Sequence, residues 1–104
     1  YVLKDEIAGL NGVAASGSNY VRFTDGTQIC WNILTPGDAV SYYLWTYSQP
    51  FSAVPTVLWC IQHDGEVTMP GYTYLYKVAT NQAGIYVDNT TGYTYPMLAI
   101  GRWK

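Results

Sequence analysis

The compact group of side chains able to hold a metal or trade protons is His63, Asp64 and Glu66, within one polar stretch. Metal centres draw ligands at recognisable spacings, such as paired cysteines two residues apart or two histidines one helical turn apart. A single histidine beside two loop carboxylates matches none of these, so neither metal nor cofactor is expected. Glycoside hydrolysis needs two carboxyl groups facing each other across a cleft. The acidic residues Asp5, Glu6, Asp25, Asp38, Asp64, Glu66 and Asp88 fall mostly at predicted turns, where Asp is favoured for hydrogen bonds to its own backbone. The serines show no Gly-x-Ser-x-Gly elbow. No catalytic residue is assigned, and the chain reads as a non-enzyme. Asn89-Thr90-Thr91 has the form of a glycosylation acceptor and reads as a turn. Cys30 and Cys60 fall in predicted strands, either as two buried thiols or as a disulfide that an oxidising compartment would allow.

Recognition chemistry is better supplied. Sugar-binding β-sandwiches set an aromatic face against the apolar side of a pyranose, with Asp, Asn, Gln or His hydrogen-bonding its hydroxyls. This chain has 11 tyrosines and 4 tryptophans, while charged residues make up 12% of it, against about 25% in an average globular protein. Its five basic residues and net charge of -2 are too few and too scattered to track a phosphate backbone, so nucleic acid is not an expected partner. No apolar run approaches the roughly 18 residues of a membrane span, so no membrane insertion is expected. The low charge implies that part of the surface is covered, as a homo-oligomer interface would cover it. With 104 residues there is one domain and one core, and the start at Tyr1 implies a piece of a longer chain.

The elements that must position these groups are organised around residues 19–32. Tyr20-Val21-Arg22-Phe23-Thr24 and Thr27-Gln28-Ile29-Cys30-Trp31 flank Asp25-Gly26. That pair predicts a two-residue hairpin turn with positive φ at both central positions. Alternation sets Val21, Phe23, Ile29 and Trp31 on one face, read as core, and Arg22, Gln28 and Asn32 on the other, read as wet. Further strands are predicted at about 40–47, 54–62, 72–79, 84–88 and 95–103. In the first of these Tyr43, Trp45 and Tyr47 share one face and Tyr42, Leu44 and Thr46 the other, implying a core on one side and a partner surface on the other. Residues 1–18 are read as stalk end or linker: Leu3, Ile7, Leu10 and Ala14 have the spacing of a coiled-coil seam, and Ala15 to Asn19 has the composition of a flexible link. This segment is either the end of a trimeric stalk or a disordered terminus. Six to seven short strands in 19–104 with no amphipathic helix predict an all-β, small antiparallel β-sandwich.

The run from Tyr20 to Trp31 resembles the opening of the C-terminal receptor-binding domain of phage and prophage tail-fibre proteins, and Leu98-Ala99-Ile100-Gly101-Arg102-Trp103 resembles its close. Gln49-Pro50-Phe51 and Val54-Pro55-Thr56-Val57 are similar to the middle of that family. The resemblance implies the small sandwich of the H-type lectins, a homotrimer, and attachment of a tail fibre to a bacterial surface glycan or other receptor. It implies a virion component, or part of a phage-derived particle, assembled in the host cytoplasm and acting outside the cell. Two alternatives stand beside it: a secreted H-type-like lectin, which a Cys30–Cys60 disulfide would favour, and a purely structural trimerisation domain.

If a stalk joins one end of the sandwich and successive strands reverse, the turns at 25–26, 48–53 and 80–83 lie at the other, distal end with the C-terminus. Asp25, Tyr47, Gln49, Asn81 and Gln82 are therefore the expected ligand-binding residues. His63, Asp64 and Glu66, expected at the stalk end, are the second choice.

Overall fold

The structure, a computed structural model, describes residues 12–35, 41–63, 73–87 and 93–104. Among these there are nine strands: β1 (Val13–Gly17), β2 (Tyr20–Phe23), β3 (Thr27–Leu34), β4 (Ser41–Thr46), β5 (Thr56–Trp59), β6 (Gln62–His63), β7 (Tyr74–Tyr76), β8 (Gln82–Val87) and β9 (Tyr93–Arg102). The larger sheet runs β1-β2-β3-β9-β5, with β6 also on β9, and the smaller runs β4-β8-β7. Every pairing is antiparallel.

The two sheets share one core. Cys30, Tyr95, Met97 and Ala99 of the larger sheet meet Trp45, Ala83, Ile85 and Val87 of the smaller. Tyr47 and Phe51 close that core at one end through successive edge-to-face contacts, Trp45 on Tyr47 and Tyr47 on Phe51, each with ring centres 5.0 Å apart. Each such contact contributes about 0.5–1.5 kcal/mol beyond the area it buries.

The hairpin forms where expected, but its faces are reversed. Gln28 and Cys30 have no exposed surface, whereas Trp31 is 41% and Ile33 is 62% exposed. A buried amide settles the choice. Gln28 Oε1 accepts from Arg22 Nε at 2.5 Å, and its Nε2 donates to the carbonyls of Gln49 at 2.9 Å and Pro50 at 3.3 Å. With its hydrogen bonds made, Gln28 is tolerated inside. The apolar set is consequently turned outward.

The turn also differs from the two-residue form. Gly26 N–H donates to Phe23 carbonyl at 3.0 Å, and of the turn residues only Gly26 (φ 100°) has positive φ. Residues 24–26 thus make the three-residue loop that ends in a left-handed glycine. A side chain at Gly26 would also collide with the Arg102 guanidinium.

Residues 13–17, read from sequence as stalk end or linker, are strand β1, which turns back at Asn19 (φ 69°) and pairs with β2. Asn tolerates this left-handed position better than most residues. The extra strand reverses the direction of approach, because Gly12 carbonyl accepts from Thr24 N–H at 3.0 Å. Residues 1–11 therefore join at the end that carries the Asp25-Gly26 turn, not the opposite one.

Candidate functional site

All five first-choice residues sit at or beside that end. Tyr47 N–H donates to Asn81 carbonyl at 3.1 Å, Phe51 N–H to Thr80 carbonyl at 2.8 Å, Ser52 N–H to Arg102 carbonyl at 2.8 Å, and Trp103 N–H to Gly26 carbonyl at 2.9 Å. These bonds gather the turns at 25–26, 48–53 and 80–82 around the C-terminal residues. Trp103 fastens the group: its Nε1 donates to Phe23 carbonyl at 2.8 Å, and Arg22 and Lys104 lie over its ring at 5.1 and 5.2 Å.

Their parts in the fold differ. Asp25 is exposed, and its Oδ1 accepts the Thr27 N–H at 2.8 Å; that hydrogen bond is the main reason its carboxyl titrates below its ordinary value. Tyr47 is a core residue, 4% exposed, with a buried hydroxyl that has no partner among the described residues. Burial pushes its pKa up to about 12. Gln49 offers its carbonyl to Gln28, and Asn81 its carbonyl to Tyr47. Gln82 is half-buried and opposite Thr46 on β4. Of the second-choice cluster, His63 pairs with Tyr93 at the far end of β9, about 30 Å from Arg102 along the strand at its usual rise. Asp64 and Glu66 lie outside the described residues. Among the described residues no group of three His, Cys, Asp or Glu is placed to hold a metal.

A different constellation stands on the outer face of the smaller sheet. Ala83, Ile85 and Val87 turn inward, so Gln82, Gly84 and Tyr86 turn outward along β8. Tyr42 and Tyr74 are both opposite Tyr86, which places three tyrosines in one row across three strands. In the next row Tyr76 is opposite Gly84, and its ring covers the glycine: a Cβ there would lie 2.5 Å from the ring. Ring centres are 5.0 Å apart for Tyr74 and Tyr86 (stacked), 4.8 Å for Tyr42 and Tyr86, and 4.6 Å for Tyr42 and Tyr76 (edge-on). Tyr42 and Tyr74 remain 56% and 44% exposed.

This platform lines a cleft of about 420 Å³ formed by Tyr42, Tyr74, Tyr76 and Lys77, within the size range of small-ligand sites. The Tyr42 and Tyr74 hydroxyls are 3.4 Å apart, and this hydrogen bond is the main cause of a raised Tyr74 pKa. The Tyr74 hydroxyl is therefore neutral at physiological pH and can both donate and accept. Lys77 takes a left-handed backbone (φ 50°), uncommon for a residue with a side chain, and its Nζ lies 6.0 Å from the Tyr76 ring centre. Flat apolar rings, phenolic hydroxyls and one ammonium group are what a pyranose needs: a surface for its C–H face and partners for its hydroxyls.

The sequence contained a signal for this site in the outward alternation of Tyr42 with Leu44 and of Tyr74 with Tyr76. It was masked by the number of tyrosines, which hid which of them the core consumes. Comparison with family models, with curated proteins and with solved structures finds no match to this chain.

Proposed function

We propose that this chain is a non-covalent carbohydrate-binding module that serves as the receptor-binding tip of a phage or phage-like tail fibre, attaching it to a bacterial surface glycan as a homotrimer. The observation that carries the binding part is the exposed platform of Tyr42, Tyr74, Tyr76 and Tyr86. Exposing a stacked aromatic cluster is unfavourable for a monomeric surface unless something covers it. Residues 1–11 join at the opposite end of the sandwich from Tyr42 and Tyr86, so a stalk there leaves the platform facing a target. The resemblance of Tyr20 to Trp31 and of Leu98 to Trp103 to tail-fibre domains supplies the biological setting. Multivalency then raises a weak single-site affinity by about 10²- to 10⁴-fold, because later contacts become intramolecular.

The free thiols of Cys30 and Cys60 remove the feature that would favour a secreted lectin. A purely structural trimerisation domain would have no use for hydroxyl-bearing rings around an open cleft. The test is a glycan array followed by titration of the best hit. Tyr74→Ala should weaken single-site binding by about 2 kcal/mol, roughly 30-fold, as loss of a central aromatic contact does. No glycan binding, or binding unaffected by Tyr74→Ala, sinks the reading.

A further inference from the structure

The reversed hairpin leaves a second unexplained surface, on the outward face of the larger sheet. The register sets Val21, Ile29 and Ile100 in one row flanked by Ser16 and Thr56; Trp31, Leu98 and Leu58 in the next; and Ile33 and Pro96 in a third. Leu58 is 53% and Ile33 62% exposed. These rows contain no charged residue. A groove of about 380 Å³ opens on the last two, walled in part by Trp31, Ile33, Leu58, Cys60 and Leu98.

We propose that this face is the contact between copies of this chain, the apolar rows of three copies turned toward a common three-fold axis so that each copy meets both neighbours. The proposal rests on the homotrimeric part of the reading above and is independent of the glycan site, which lies on the other sheet. Area supports a second copy as occupant. The five strands, of five, four, eight, ten and four residues and about 4.8 Å apart, give a footprint of roughly 500 Å². Three such faces turned to one axis bury roughly 1,500 Å² in all, within the total that specific protein interfaces cover. Charge supports it as well. An anionic membrane surface attracts clusters of basic residues around an apolar patch; these rows carry no charge and the adjoining row holds a single basic residue, Arg102, so the faces of neighbouring copies meet with little repulsion to overcome.

The test combines light scattering at micromolar concentration with Ile33→Glu and Leu58→Glu. Both side chains are more than half exposed in the single chain, so near-ultraviolet circular dichroism should be unchanged. The expected result is an oligomeric native protein and monomeric variants that bind glycan at each site as before. A monomeric native protein overturns both the contact and the homotrimer. An oligomer that persists in both variants overturns the contact face alone. Cys60 gives a measurement without mutation, since its thiol borders the groove while Cys30 is buried. Its maleimide labelling should be slow in the concentrated protein and should accelerate on dilution. Labelling at the rate of an open thiol at every concentration overturns the proposal. So does binding of the native protein to neutral phosphatidylcholine vesicles that the Glu variants lose while oligomeric mass stays the same.

Discussion

Gln28 Nε2 donates to the carbonyl of Gln49 at 2.9 Å, so a side chain with no exposed surface ties the β2–β3 hairpin to the loop bridging the two sheets. The same amide accepts from Arg22, which also donates to the Pro50 carbonyl at 3.2 Å. Hairpin and loop are thereby held as one unit. Gln28→Met keeps the volume but leaves the Arg22 guanidinium and the Gln49 carbonyl without this partner. Loss of a buried polar partner costs about 1–3 kcal/mol, and urea unfolding should show a lower midpoint by that amount with an unchanged slope.

Tyr47 predicts the opposite sign. Its hydroxyl is buried without a partner among the described residues, while its ring touches Trp45 and Phe51. Tyr47→Phe removes the unpaired group and keeps the ring contacts. Stability should be unchanged or raised, by up to about 1 kcal/mol, since an unsatisfied hydroxyl in an apolar surround is itself unfavourable. Glycan affinity should not change, and a loss of binding without a loss of stability would restore Tyr47 to the site.

The all-β class, the hairpin position and the two-faced character of β4 were legible because alternation and turn chemistry are local. The core face of β2 and β3 was not. Apolar content pointed to Val21, Phe23, Ile29 and Trp31, and the outcome was decided by a partner 21 residues away, the Gln49 carbonyl that satisfies Gln28. A sheet carrying apolar residues on both faces has no unique inside until its second layer is known. Strand β1 was missed for a related reason. Ala, Ser and Gly carry little strand propensity, and Val13 to Gly17 is held by backbone pairing with β2. That single strand brings Gly12 to the end that carries the Asp25-Gly26 turn, where strand parity counted from residue 19 expects the other end.

Asp25 sets a small acid sensitivity. Its folded-state pKa lies below the ordinary 3.8, first because of the Thr27 N–H and then because of the Thr27 side chain. A carboxyl with a depressed folded pKa contributes stability that is complete above its unfolded value and is lost as pH falls through the folded one. The contribution should therefore be intact at pH 6 and fade below about pH 3.8. Asp25→Asn keeps an oxygen acceptor for the turn and cannot titrate. Melting temperatures between pH 6 and pH 2 should fall more steeply in the native protein than in this variant, and parallel curves would remove Asp25 from the acid response.

Gly84 offers a way to disturb the tyrosine platform without deleting a ring. The Tyr76 ring lies over this glycine, with atoms 2.5, 2.6 and 3.0 Å from where a Cβ would be, so Gly84→Ala must push the ring outward. The backbone itself is not at issue, since Gly84 sits within strand β8 opposite both Leu44 and Tyr76. Alanine also restricts the unfolded chain more than glycine does, which offsets part of the strain, and stability should shift by no more than about 1 kcal/mol. Displacing Tyr76 breaks its edge-on contact with Tyr42 at 4.6 Å and deforms the wall it shares with Tyr42, Tyr74 and Lys77. An aromatic contact of this kind is worth about 0.5–1.5 kcal/mol, so single-site glycan affinity should fall by about 2- to 10-fold. Calorimetric titration of Gly84→Ala beside Asn81→Ala separates the two ends of the sandwich. Weaker binding in the first and native binding in the second place the ligand on the platform, and the reverse pattern returns it to the turns around Asp25 and Gln49.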